Sequence, residues 1–157
     1  MIFGIIAIVF AFAADQLSKY LLASAMATGE TIAYGDYFNL VKVWNTGVSF
    51  SMFNNHGDAG RFALCALSLT VCAFLLHWMY REKNKLKIIA LGLIIGGALG
   101  NVADRIRLGA VLDFLDFHIG GYHWPAFNLA DSFICIGAGI LIVSELYNAQ
   151  KKGIREK

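Results

Sequence analysis

Charge is scarce in this chain. Asp, Glu, Lys and Arg make up 15% of its 157 residues, against about a quarter in a typical soluble domain. Proline occurs once, while 58% of the residues are hydrophobic. Such a composition excludes an intrinsically disordered chain, and a net charge of only +2 excludes a strongly basic nucleic-acid-binding tail. Cysteine is scarce as well. Cys65, Cys72 and Cys135 are odd in number, lie inside apolar runs and form no CxxC, so no disulfide framework is encoded. They are expected to act as small buried hydrophobes. The GxSxG turn of serine hydrolases, the HExxH helix of zinc peptidases and a phosphate-cradling Gly-rich loop followed by Lys are all missing. Asp113, Asp116, His118 and His123 match no standard ligand spacing, so neither a metal nor another cofactor is expected.

What the chain does have is long apolar runs. They cover about residues 2–25, 62–80, 86–102 and 129–147. Each is near the roughly 20 residues that cross about 30 Å of hydrocarbon. The expected fold is therefore an all-α membrane protein, a single integral membrane domain over residues 1–157 with four transmembrane helices. The first run lacks the basic start of a secretory signal and carries Asp15, Gln16 and Lys19 in its second half. Four of the 13 basic residues fall in 81–87 and four more in 151–157. Both clusters belong on the cytoplasmic side, which places both termini there and turns residues 26–61 and 104–128 outward. Clusters facing a lipid surface do not indicate nucleic acid. In the first outward region, residues 37–50 read YFNLVKVWNTGVSF, a strand-like composition, and 51–61 suit a short interfacial helix. In the second, Ile119-Gly120-Gly121 is a turn signal and Pro125 precedes the last run.

Charged and amide groups near hydrocarbon need a partner or a task. Asp15 and Lys19, four apart, suit an ion pair, either purely structural or in support of a site. Gly92, Gly96 and Gly100 share one helix face and are expected to pack within the monomer rather than across a dimer interface. Residues 100–107 read GNVADRIR. There Asp104 and Arg107 have the spacing of an ordinary i,i+3 pair, while Asn101 and Arg105 face one way and are placed to hold a carboxylate or a peptide carbonyl. VLDF at 111–114 and FNLADS at 127–132 each set one Asp in an apolar context at about the same outer depth. Asp131 has two readings, a capping-box partner of Asn128 or a functional carboxylate. Asp113 has no local capping role, and Asp116 reads as a surface residue. Two carboxylates held close in a low dielectric share a proton, which supplies an acid and a base together. Paired aspartates also occur in proton-coupled transporters, but there they belong at the midplane and within inverted repeats, neither of which is found here. A structural assembly factor built on the glycine face is the third class considered; polar motifs converging on one membrane face argue against it.

Five motifs in order, DQLSKY at 15–20, NTGVSF at 45–50, GNVADRI at 100–106, VLDF at 111–114 and FNLADS at 127–132, carry a resemblance over essentially the whole chain. The chain resembles the bacterial lipoprotein signal peptidases, or signal peptidase II. The resemblance implies an intramembrane aspartic endopeptidase that removes the signal peptide from diacylglyceryl-modified prolipoproteins, cutting before the lipidated cysteine. It implies an outward β-cradle followed by an interfacial helix, location in the bacterial cytoplasmic membrane, and sensitivity to globomycin. Asp113 and Asp131 correspond to the catalytic dyad. Asn45, Gly47, Asn101, Arg105, Asn128 and Ala130 fall on positions that bind substrate or support the dyad, and Asp15 and Lys19 on structural ones. The implied partners are diacylated prolipoproteins and membrane lipids, with the enzyme a monomer. Val48 or Ser49 stands where the family often has Ala, a departure that touches no catalytic role.

Overall fold

The computed structural model describes residues 1–47 and 57–155. Within them the order of elements is α1 (Ile2–Ala25), β1 (Thr31–Ala33), β2 (Phe38–Asn45), α2 (Gly57–Arg81), α3 (Lys85–Leu108), β3 (Val111–Ile119), β4 (Tyr122–His123) and α4 (Leu129–Arg155). Four of these helices are long and apolar enough to cross a membrane. The two regions expected from the sequence to face outward meet in one antiparallel sheet of order β1-β2-β3-β4. The interfacial helix expected at 51–61 falls largely on 51–56, outside the described residues; from Gly57 the chain is already α2.

Helix α3 is the axis of the bundle. It packs against α1, α2 and α4 and meets β3 at its end. Its buried face includes Ile88, Ala90, Leu91, Ile95 and Val102, whereas the other helices turn Ile5, Val9, Phe74, Ile142 and Leu146 outward. Apolar side chains gain little by leaving lipid for protein, so close backbone approach has to hold such helices together. The α3 glycines provide it. A Cβ on Gly92 would lie 2.5 Å from the carbonyl oxygen of Gly4, and one on Gly96 2.5 Å from that of Ile8. Gly100 faces the carboxylate of Asp15 with no room for a methyl group. The glycine stripe is thus occupied within the chain, as expected. Cys65 and Cys72 are buried, but Cys135 is exposed: it lies on the outer side of α4, where the apolar context of its sequence is met by the surroundings and not by the core.

The ends of α3 are fixed locally. Asn84 Oδ1 accepts from the Leu86 amide at 2.9 Å, and Gly109 adopts a left-handed conformation that returns its N–H to the Arg105 carbonyl. Two residues after Gly109 β3 begins. Gly120 and Gly121, with φ of 57° and 83°, turn it into β4, the two positive φ values a tight hairpin requires. Strand β2 pairs with β3 through Leu40–Leu115 and Val43–Asp113, so Val41 and Lys42 share a bulge opposite Phe114. From that bulge Lys42 Nζ donates to the Ala23 and Met26 carbonyls at 2.6 and 2.7 Å, capping the end of α1 and tying the sheet to the bundle.

Candidate active site

Asp113 stands on β3 where that strand is covered on both sides. The Asn45 side chain reaches it from the end of β2, and Phe127 bridges to Leu115 on the other flank, bringing Asn128 alongside. Asp113 is only 3% exposed. Asn45 Nδ2 donates to its Oδ2 at 2.9 Å and Asn128 Nδ2 to its Oδ1 at 2.7 Å. Burial pushes the Asp113 carboxyl above the usual carboxylate range; the Asn45 bond opposes this and the charge of nearby Asp131 reinforces it.

Asp131 lies in the first turn of α4, where its capping reading is met and its carboxylate still keeps one oxygen for a partner on another helix. Its backbone N–H donates to Asn128 Oδ1 at 3.0 Å, and its Oδ2 accepts from the Asn128 N–H at 3.3 Å, a reciprocal capping box. Its Oδ1 accepts from Asn101 Nδ2 at 2.9 Å. Asn128 Nδ2 also donates to Asn101 Oδ1 at 3.2 Å. Asp113, Asn128, Asn101 and Asp131 therefore form one hydrogen-bonded chain across β3, α3 and α4.

Beneath that chain lies a buried ionic layer. Lys19 Nζ donates to Asp15 Oδ2 and to Asn101 Oδ1, both at 2.9 Å, and lies 2.7 Å from Asp104 Oδ2. Asp15 Oδ1 accepts the Ala130 N–H at 2.9 Å, so the first helix supplies a carboxylate to the N-terminus of the last. Gln16 Nε2 donates to Asp104 Oδ1 at 2.9 Å. The i,i+3 pair expected between Asp104 and Arg107 is absent among the described residues. Asp104 faces inward to the ammonium group of Lys19, where an opposite charge is needed most, and Arg107 turns outward to donate to Gln16 Oε1 at 3.3 Å. Arg105 packs beside Gly47, whose φ of 83° and contact with Leu64 leave no room for a side chain. The Gly47 N–H is held by Asn45 Oδ1 at 2.7 Å.

All ten residues singled out from the motifs thus fall in or against one assembly. Asp104 and Gln16 belong to it as well, although neither was assigned to the site from sequence. Asp116 corrects its sequence reading: it is buried, not a surface residue. It sits opposite Asn39 across β2 and β3, accepts from Asn39 Nδ2 at 2.9 Å, and is covered by His123, whose Nδ1 lies 2.9 Å from it. This polar pair is separate from the chain that joins Asp113 and Asp131.

The chain and its fold are matched in known proteins. Residues 6–147 fit the family described as signal peptidase (SPase) II. The lipoprotein signal peptidase of Paraburkholderia phymatum is 46% identical over 144 residues, covering 91% of this chain and 86% of that protein. That of Aeromonas hydrophila is 42% identical over 149 residues, covering 93% and 89%. Two solved bacterial membrane enzymes superpose with TM-scores of 0.81 and 0.82 at 28% and 29% identity, covering 95% and 91% of this chain and 90% and 92% of theirs. The sheet, the site and nearly all of the four spans lie inside the matched region, and the chain belongs to the signal peptidase II family, a family of membrane peptidases.

Proposed function

We propose that this chain removes the signal peptide of diacylglyceryl-modified prolipoproteins with Asp113 and Asp131 as its catalytic pair. The observation that carries the proposal is the hydrogen-bonded chain that links the two carboxylates through Asn128 and Asn101. Asp113, whose burial favours the protonated form, donates to the oxygen of the scissile carbonyl. Asp131 takes a proton from the attacking water, and the pair then protonates the leaving amine. Neither a metal nor a covalent intermediate enters these steps. Asn45 and Arg105 lie at the edge of the site, where their donors suit the peptide carbonyls of an unwound cleavage segment, whose backbone has lost its helical bonds. The diacylglyceryl group holds that segment at the membrane surface, since each buried CH₂ contributes about 0.8 kcal/mol. The enzyme is read as a monomer in the bacterial cytoplasmic membrane with both termini cytoplasmic and the sheet on the outer face.

Incubation of the purified protein with a diacylated prolipoprotein, scored by gel shift, tests this directly. Cleavage is expected without added metal and far faster than for the unlipidated precursor. Asp113→Asn and Asp131→Asn should each abolish turnover while leaving the fold intact. A fully active Asp131→Asn variant would return that residue to capping alone. Loss of activity with a chelator and its recovery with zinc would overturn the aspartic mechanism.

A further inference from the structure

We propose that Lys19 is a positioning residue for Asp131, acting through the side-chain amide of Asn101. The inference rests on the reading of Asp113 and Asp131 as the catalytic pair and goes beyond a structural ion pair with Asp15. An ammonium group can only donate, so the Asn101 atom facing Lys19 Nζ at 2.9 Å has to be the oxygen. Asn128 Nδ2 donates to the same oxygen at 3.2 Å. With Oδ1 held by two donors from opposite elements, Asn101 Nδ2 is left pointing at Asp131 Oδ1, 2.9 Å away. Without Lys19, one of the two donors that choose the orientation of this amide is lost. A flipped amide would set its carbonyl against the Asp131 carboxylate, and the reacting oxygen would lose its donor.

The geometry of the ionic layer suits this task. Lys19 is 5% exposed, Asp15 0% and Asp104 2%, so the ammonium group is held from three sides and cannot drift from Asn101. Asp15, in turn, bonds the Ala130 N–H, one residue before Asp131. One cluster on α1 and α3 thereby fixes both the side chain that contacts Asp131 and the backbone turn that carries it.

The test is a double-mutant cycle on the purified full-length enzyme, read as kcat and KM for a diacylated prolipoprotein. Lys19→Met should lower kcat about ten- to a hundredfold, the worth of one hydrogen bond to a charged group, with KM changed less than about twofold. Lys19→Arg should recover part of the loss. Because Lys19→Met leaves Asp15 and Asp104 facing each other unpaired, the variant Lys19→Met/Asp104→Asn serves as the folded counterpart where the single variant does not fold. Asn101→Ala should lower kcat similarly, and adding a Lys19 substitution to Asn101→Ala should cost nothing further. Multiplying effects in the cycle, a loss confined to KM, or full kcat in a folded Lys19→Met variant would each overturn the proposal. So would failure of every Lys19 variant to fold, which would make Lys19 a structural ion only. The parent reading fails separately, through an active Asp113→Asn or Asp131→Asn variant.

Discussion

Asp116 illustrates how a carboxylate outside the motifs can matter to the sheet. Burial alone would raise its carboxyl, yet its bonds to Asn39 and His123 outweigh burial and hold it below the ordinary value of 3.8. A group depressed on folding contributes stability above its unfolded value and loses that contribution as pH falls through its folded value. The hairpin β3–β4 is therefore expected to loosen as pH drops below about 4, seen as faster amide exchange at Tyr122 and His123. Asp116→Asn should abolish that acid step while keeping most of the peptidase activity; an unchanged step would mean another group controls the hairpin. Side-chain pairings of this kind were unevenly legible in the sequence. Asp15 with Lys19 was readable because four residues on a helix are one turn. The partner of Asp104 was not, because local spacing favoured Arg107 while the true counter-charge lies on another helix. Asp116 was misread for the same reason: its shield comes from Asn39, 77 positions away, and from the return of the chain at His123.

Helices and strands differ in how much of themselves they reveal. The apolar runs disclosed all four helices, but α3 continues to Leu108, beyond the expected end near 102. Its last turns carry Asn101 and Asp104, polar groups that pair inside the protein and so do not end the helix. Strand β2 was legible from its β-branched and aromatic residues. Strand β3 was not, because Val111 to Phe114 are buried on both faces and the usual alternation is missing. The glycine seam between α1 and α3 gives a sharp expectation. Gly92→Leu would force apart backbones that touch at the Gly4 carbonyl and should cost a few kcal/mol, read as a lowered Tm in detergent together with lost cleavage. Gly139→Leu, on α4 with no atom within 4 Å of the new Cβ, should be tolerated. Equal damage from both would mean that the seam does not hold the bundle.

The bundle as placed in a bilayer carries its own prediction. In a background without the native cysteines, Cys replacing exposed Asp36 should be labelled from the outside and Cys replacing Asn84 should not. The reverse pattern would put the sheet in the cytoplasm and deny the site to exported substrates. The bond between Asp15 and the Ala130 N–H, which closes the first helix onto the last, also bears on how the protein is made. Its ends are 115 residues apart in the chain, a gap that synthesis at 5–20 residues per second fills in roughly ten seconds. For most of that time Asp15 and Lys19 of α1 are without their partners on α3 and α4, since Asn101 follows Lys19 by 82 residues. Only the Asp15–Lys19 pair, contained within α1 itself, is available to neutralise them. Of the ion pairs in the finished ionic layer, the Asp15–Lys19 salt bridge is thus the one a nascent first helix can form alone, offsetting its charges before its partners arrive.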